Sequence, residues 1–350
     1  MEKLDLTTVD WQQVLQSLGV PAQWIENPRR QGPCPIEAAG KTRFRLSNKT
    51  GRGEWICNTC GSGDGVRLVA LLKQCSDADA IRYLKAEKAP TLSRKVIALR
   101  EQQKVKTAKD ALKQKVRLQK LWDDCSPVRE GDPVALYLAR RVPGLKLEWL
   151  SNSIRFCESL FHADEGDLDA NKKPKISYRP AMVAKVTQAN GWPVTLHRTY
   201  LAEDGFKASV TPDQVKKQMA GVAPLSGEAI HLNVSKGGSD ILCITEGIET
   251  GYAVVAAYEN SHDVWAALNA GNLPKIQVPK TYSRVIIFAD KDPMNPKNGW
   301  RPGEHYAELL AKRLRTEGLE VVIRVPDREG TDFADLWLDV YERRRLQLVA

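Results

Sequence analysis

The sequence predicts an α/β protein whose C-terminal half contains a parallel sheet flanked by helices. Two short, uninterrupted apolar runs, Ile241 to Ile244 and Val285 to Phe288, are typical of central strands covered on both faces. A helical pattern follows each run, from Thr250 to Tyr258 and from Glu304 to Arg315. Because strands that alternate with helices indicate βαβ units, we predict a doubly wound sheet.

Acidic residues follow both predicted strands: Glu246 follows the first, and Asp290 and Asp292 follow the second as an Asp-x-Asp segment. The carboxyl ends of parallel strands meet at one edge of a sheet, and residues two apart on an extended segment point the same way. Carboxylates about 4 Å apart repel by roughly 4 kcal/mol at an effective dielectric near 20, and a divalent cation would turn this repulsion into binding. A single acid at a strand end is often a helix cap, so the prediction of a Mg²⁺ or Mn²⁺ site rests on all three together.

The N-terminal segment begins with a predicted helix capped by Thr7 or Thr8, which ends near Gly19. A Cys57-x-x-Cys60 pair followed by Gly61 then predicts a metal knuckle, with Cys34 as a third ligand. Structural zinc sites normally have four ligands, so the count of cysteines is one short.

Cations and aromatic rings alternate between the cysteines, which is typical of single-stranded nucleic acid binding. The cations of interest are Lys41, Arg43 and Arg45. Phe44 and Trp55 are either stacking platforms for bases or the small core of the module.

Two more helices are predicted, capped by Asp64 and Asp77, and a basic helical stretch follows them. Residues 85–120 hold nine Lys and three Arg against three acids, a local charge of +9 that equals the net charge of the whole chain. This stretch is either a phosphate-backbone contact or a solvated linker. Strands over 181–187 and 194–200, joined by an Asn190-Gly191 turn, predict a hairpin.

Length, cysteine content and hydropathy exclude several classes of protein. The chain has 350 residues, enough for two or three domains, and seven cysteines without the dense spacing of a disulfide framework. We expect Cys75, Cys125, Cys157 and Cys243 to be ordinary buried thiols. The sequence has no secretory h-region and no long apolar run, so we expect a soluble cytoplasmic protein without membrane contact.

The acidic segments resemble the Toprim fold shared by primases, topoisomerases and some nucleases. This resemblance implies that Glu246, Asp290 and Asp292 hold Mg²⁺ or Mn²⁺, and that Gly330 to Leu336 supplies Asp332, with Asp335 as a weaker candidate. The cysteine segment is similar to the zinc ribbon of primases from phages, satellite phages and conjugative plasmids. Glu37 stands where that family has its second cysteine, so Glu37 completes the zinc site, or water does, or zinc binding is weakened.

The middle region also resembles that primase family, in which Arg198 and Lys207 would bind nucleotide or template. The alternative for both is a salt bridge on a hairpin face. The expected architecture is an N-terminal helix and zinc ribbon (1–88), a basic helical linker (89–126), a basic α+β subdomain (127–236) and a Toprim domain (237–350).

The resemblance implies a DNA primase that makes short RNA primers on single-stranded DNA from nucleoside triphosphates, with Zn²⁺ in the ribbon. The sequence has no Gly-x-x-x-x-Gly-Lys-Ser/Thr loop, so we expect a separate replicative helicase as partner. The alternatives are a Toprim nuclease and a non-catalytic accessory protein that binds single-stranded DNA.

Overall fold

The computed structural model describes residues 4–27, 31–87, 89–91, 94–234, 238–296 and 299–349, with side chains throughout except at 94–107, 348 and 349. The chain divides into two compact units, residues 1–109 and 110–350. The side chains of residues 94–107, which belong to the predicted basic linker, lie outside the described residues. No described helix is long and apolar enough to cross a membrane.

The N-terminal unit begins with two short helices, α1 (Trp11–Ser17) and α2 (Ala22–Ile25). The predicted cap of α1 is wrong: Asp10 accepts the Gln13 amide proton, while the Thr7 hydroxyl donates to Asp5. A four-stranded antiparallel sheet follows, in the order β1-β2-β3-β4. Its strands are β1 (Gly32–Cys34), β2 (Ala39–Leu46), β3 (Trp55–Cys57) and β4 (Gly61–Gly63).

Two capped helices follow the sheet of this unit. Helix α3 (Gly65–Lys73) is capped by Asp64 as predicted, because that carboxylate accepts the Arg67 amide proton. Helix α4 (Asp77–Ala86) is capped by Ser76 rather than by Asp77. The basic helix α5 (Arg94–Asp123) leads into the C-terminal unit.

After the last part of α5, the C-terminal unit continues with α6 (Pro133–Arg141) and a four-stranded antiparallel meander, β5-β6-β7-β8. The predicted hairpin is confirmed, although its first strand is much longer than the apolar run suggested. The strands are β5 (Ile154–Leu168), β6 (Pro174–Thr187), β7 (Pro193–Tyr200) and β8 (Lys216–Gln218).

The C-terminal sheet has five strands in the order β13-β12-β10-β11-β9, and every pairing except β11 with β9 is parallel. The two predicted central strands are both present, and each is followed by a helix. The strands are β9 (Ile230–Asn233), β10 (Ile241–Thr245), β11 (Asp263–Ala266), β12 (Arg284–Phe288) and β13 (Glu320–Arg324).

Helices cover both faces of this sheet, which explains why its central strands are apolar throughout. Helices α7 (Ile248–Ala257) and α9 (Phe333–Val349) pack against one face, and α8 (Pro302–Thr316) packs against the other. The predicted α/β architecture is thus confirmed.

Candidate metal centres

The strands β10 and β12 bring the first two acidic residues to the same edge of the sheet. Thr245 pairs with Phe288 at the end of the parallel ladder. Glu246 follows Thr245 directly, and Asp290 lies two residues beyond Phe288. Both carboxylates therefore leave the sheet at its carboxyl edge, as the sequence predicts.

Asp290 is the electrostatic centre of this edge. Burial and, after it, the negative charges of Glu246, Asp332 and Asp292 together raise the pKa of its carboxyl to about 8. Its Oδ1 atom is buried and has no hydrogen-bond partner within the described residues. A buried carboxylate oxygen without a donor, in a field of like charges, is suited to bind a cation.

Glu246 and Asp332 respond to the same surroundings. Burial and the neighbouring Asp292 raise the pKa of Glu246, while a hydrogen bond from the backbone of Ala270 lowers it. Burial also raises the pKa of Asp332, against the lowering effects of the Asp335 amide and the Arg141 guanidinium. The four acids therefore share one electrostatic environment.

Asp292 is oriented by the start of α8. Its Oδ2 atom accepts the Gly303 amide proton at 2.7 Å, and its carbonyl accepts a hydrogen bond from Arg301. The backbone of Gly303 comes so close to the sheet edge that a Cβ there would lie 2.5 Å from the Asp290 carbonyl oxygen. Glycine at this position thus permits α8 to donate to Asp292.

Asp332 and Asp335 also form the N-terminal cap of α9. The Asp335 amide donates to Asp332 Oδ1 at 2.9 Å, and the Asp332 amide donates to Asp335 Oδ2 at 3.2 Å. Arg141 lies 3.8 Å from the first carboxylate and 3.5 Å from the second. Both residues therefore cap the helix in addition to contributing negative charge to the acidic edge.

A buried network that sequence reasoning missed adjoins Glu246. The Glu249 side chain is 7% exposed, and its Oε1 atom lies 2.8 Å from Lys216 Nζ and accepts the Tyr137 hydroxyl proton at 2.5 Å. Although burial raises the pKa of Glu249, Lys216 and Tyr137 lower it to about 2. The network joins α7, β8 and α6, and its lysine also lowers the pKa of Glu246.

The two cations predicted from the middle region do not join this network. In the sheet register Arg198 pairs with Lys217, and Thr199 pairs with Lys216. Since successive strand residues point to opposite faces, Lys216 and Arg198 lie on opposite faces. Arg198 donates instead to the Tyr200 hydroxyl at 3.0 Å, and Lys207 is exposed beside its bridge partner Leu201.

The three predicted cysteine ligands come together in the N-terminal sheet. The sulfurs of Cys34, Cys57 and Cys60 lie within 4.8 Å of one another, and in the part of the chain the structure describes they are the only group of three or more candidate ligands at that spacing. The acidic cluster is looser, because no three of its carboxylates meet the same limit. Burial raises the pKa of Cys57, but hydrogen bonds from Thr59 and the backbone bring it down to about 7. Three clustered thiols, one of them easily ionised, fit zinc.

Glu37 borders the cysteine cluster without belonging to it. Its Oε2 atom accepts the Thr59 hydroxyl proton at 3.3 Å and lies 3.4 Å from an Arg43 nitrogen. Thr59 in turn lies 3.4 Å from the Cys57 sulfur. Whether Glu37 or water is the fourth ligand stays a prediction.

The aromatic rings of the ribbon form its core. Phe44 and Trp55 are 0% and 2% exposed and stack with ring centroids 5.9 Å apart. Their packing leaves no ring face for a base, so the core interpretation is confirmed. Along β2 the remaining cations alternate with the buried residues and share one face: Lys41 and Arg43 are exposed, and Arg45 is half-buried.

Three parts of the chain match known domain families. Residues 29–66 match the zinc-binding domain of primase-helicase, and residues 241–340 match the Toprim domain. Residues 112–232 match a domain of unknown function, DUF7146. The predicted Toprim domain and primase-type zinc ribbon are confirmed.

Solved primase structures are also similar to this chain. The Aquifex aeolicus primase, with zinc-binding and RNA polymerase domains, shows 16% identity and a TM-score of 0.40 over 97% of this chain and 82% of that one. The DnaG primase catalytic domain bound to single-stranded DNA shows 15% identity and a TM-score of 0.43 over 69% and 82%. The primase fragment of the bacteriophage T7 primase-helicase shows 15% identity and a TM-score of 0.35 over 59% and 72%.

Proposed function

We propose that this protein is a DNA primase that synthesises short RNA primers on single-stranded DNA by nucleotidyl transfer. The observation that carries the proposal is the buried Asp290 at the carboxyl edge of a Toprim sheet, with its pKa raised by burial, Glu246, Asp332 and Asp292. The same chain carries a zinc ribbon of the primase-helicase type, which favours priming over other Toprim reactions.

The acidic edge fits a divalent cation, because Asp290 Oδ1 is buried without a donor. Glu246, Asp290 and Asp292, with help from Asp332, would hold one or two Mg²⁺ or Mn²⁺ ions. Ions held there would supply Lewis acidity for the primer 3′-hydroxyl and positive charge for the departing pyrophosphate.

Other residues would bind and orient the substrates. Lys216 Nζ is anchored by Glu249 beside Glu246, where it can contact a nucleotide phosphate. Arg198 and Lys207 would contact nucleotide or template further from the acidic edge. In the ribbon, Lys41, Arg43 and Arg45 would hold template phosphates while Cys34, Cys57, Cys60 and Glu37 bind zinc.

A primer-synthesis assay with single-stranded DNA, nucleoside triphosphates and Mg²⁺ tests the proposal. The wild-type protein should make short RNA, and Glu246→Gln and Asp290→Asn should reduce synthesis at least a hundredfold while DNA binding is retained. The matched control is Glu259→Gln, which changes an exposed carboxylate in the same domain and should leave synthesis unchanged.

Other results would assign a different function. Cleaved DNA without RNA synthesis would indicate a Toprim nuclease, which uses water as the nucleophile. DNA binding without either product, unaffected by Glu246→Gln and Asp290→Asn, would indicate an accessory protein.

A further inference from the structure

Two cysteines face each other where α5 ends and β5 begins. Cys125 and Cys157 are 5% and 6% exposed and belong to one apolar cluster of the C-terminal unit. Between them, Ser126 and Phe156 form an antiparallel bridge, in which each amide donates to the other carbonyl at 2.8 and 2.9 Å. The residue before Ser126 therefore lies opposite the residue after Phe156, which places Cys125 against Cys157.

This backbone arrangement is compatible with a disulfide. In a regular antiparallel ladder, positions next to a doubly hydrogen-bonded pair have Cα atoms about 4.5 Å apart, within the range of about 4.4–6.8 Å that disulfides require; here Cys157 lies on β5 and Cys125 lies at a bend directly before the bridge. Arg155 fixes the junction by donating to the carbonyls of Trp122, at 2.7 Å, and Cys125, at 3.3 Å.

The two thiols also affect each other chemically. The neighbouring Cys125 thiol, which donates to the Leu121 carbonyl at 3.0 Å, lowers the pKa of Cys157 to about 7, although burial acts in the opposite direction. The same interaction, together with burial, raises the pKa of Cys125. Cys157 is thus the thiol that ionises near neutral pH, and its partner retains its proton.

We propose that Cys125 and Cys157 form a reversible disulfide when the protein meets a hydroperoxide, and that this bond links the end of α5 to β5. The Cys157 thiolate attacks the peroxide, the O–O bond breaks, and the departing oxygen takes a proton to leave as water or an alcohol. Cys157 is then a sulfenic acid.

The Cys125 thiol completes the reaction by attacking the Cys157 sulfur. The S–O bond breaks, and the oxygen leaves as water with the proton of Cys125. Two thiols thereby lose two electrons and two protons, and one hydroperoxide is reduced. A thiol reductant reverses the step by thiol–disulfide exchange.

The test is peroxide treatment of the full-length, zinc-loaded protein, followed by alkylation, trypsin digestion and mass spectrometry. The tryptic peptides 121–129 and 156–172 each contain one cysteine, so the linked pair has a unique mass. We expect this pair to be the main disulfide outside the zinc cluster and to disappear with dithiothreitol. The control is the same treatment in urea, where pairing among the seven cysteines should become unselective.

Single variants separate the two roles. Cys125→Ala should stop the reaction at a Cys157 sulfenic acid that dimedone labels, whereas Cys157→Ala should give no label at Cys125. In the wild type, oxidation should raise the thermal midpoint by roughly 5–10 °C, because the crosslink restricts the unfolded chain. The proposal is wrong if the native wild-type protein gives no linked pair at peroxide concentrations that produce dimedone labelling of Cys157. It is also wrong if neither cysteine reacts.

Discussion

The ion pair between Lys216 and Glu249 makes a prediction that depends on neither metal nor substrate. The substitution Lys216→Met keeps the length of the side chain and removes the ammonium. Glu249 would then remain buried, with Tyr137 as its remaining partner in the network. A buried carboxylate that loses its counter-charge destabilises the native state.

The magnitude follows from the pKa of Glu249. Its value falls from 4.5 to about 2, and each unit corresponds to about 1.36 kcal/mol, which gives about 3 kcal/mol. This agrees with the loss of roughly 3–5 kcal/mol that is typical when one partner of a buried pair is removed. We therefore expect Lys216→Met to lower the free energy of unfolding at pH 7 by about 3 kcal/mol.

The pH dependence has a defined sign. The pKa of Glu249 is depressed in the folded state, so its contribution is complete above pH 4.5 and disappears as the pH falls toward 2. The difference in stability between wild type and Lys216→Met should shrink across that window. Urea denaturation at pH 7, 4 and 3 measures it.

Two controls make the result decisive. Lys312→Met removes an exposed lysine of α8 and should change stability by less than about 0.5 kcal/mol. In the double variant Lys216→Met/Glu249→Gln the loss should be smaller than the sum of the single losses, because no unpaired charge is left. Additive losses, or a difference between wild type and Lys216→Met that grows at low pH, would refute the argument.

Three further predictions concern the metal centres. Asp290→Asn should stabilise the metal-free protein at pH 8 by on the order of 2 kcal/mol and abolish thermal stabilisation by Mg²⁺. Native Asp290 keeps its proton between pH 3.8 and about 8, whereas the unfolded chain loses it. The stability of the wild type therefore falls as the pH rises through this window. Gly303→Ala should cost about 1–3 kcal/mol and reduce primer synthesis, since its Cβ would clash with the Asp290 carbonyl; unchanged denaturation and activity would contradict this. Elemental analysis of the wild type should find zinc, and Cys57→Ser should remove it. Glu37→Gln should weaken zinc affinity by about tenfold, and an unchanged affinity in this variant would assign the fourth position to water.

The sheet that carries the acidic residues could be predicted from sequence because its signals are local. Buried parallel strands are apolar along their whole length, and β10 and β12 are found within one residue of their predicted bounds. Strand β5 was not predicted, because its last four residues are exposed and carry no apolar alternation. Local patterns report burial, and these four of the fifteen residues are not buried.

The contacts of the site could be predicted only in part. Glu249 stands three residues after the predicted ligand Glu246, but its lysine partner stands 33 residues before Glu249 on a three-residue strand with no pattern of its own. Which of Lys216 and Lys217 faces the acidic edge depends on the register between β7 and β8. A shift of one residue would exchange them, and composition alone does not define that register.

The carboxylates of the acidic edge and of the lysine network differ in the direction in which the protein shifts their pKa values. Glu249 is more buried than Asp290, yet its pKa is lowered because a cation and a hydroxyl of the protein satisfy it. Burial and the neighbouring negative charges of Glu246, Asp332 and Asp292 raise the pKa of Asp290 to about 8. Glu249, which maintains the fold, thus has the counter-charge of Lys216, whereas the charges that shift the pKa of Asp290 are negative. Below about pH 8 a proton neutralises Asp290 in the metal-free protein, and a bound cation would replace that proton, so loss of Mg²⁺-dependent stabilisation in Asp290→Asn tests the metal site directly.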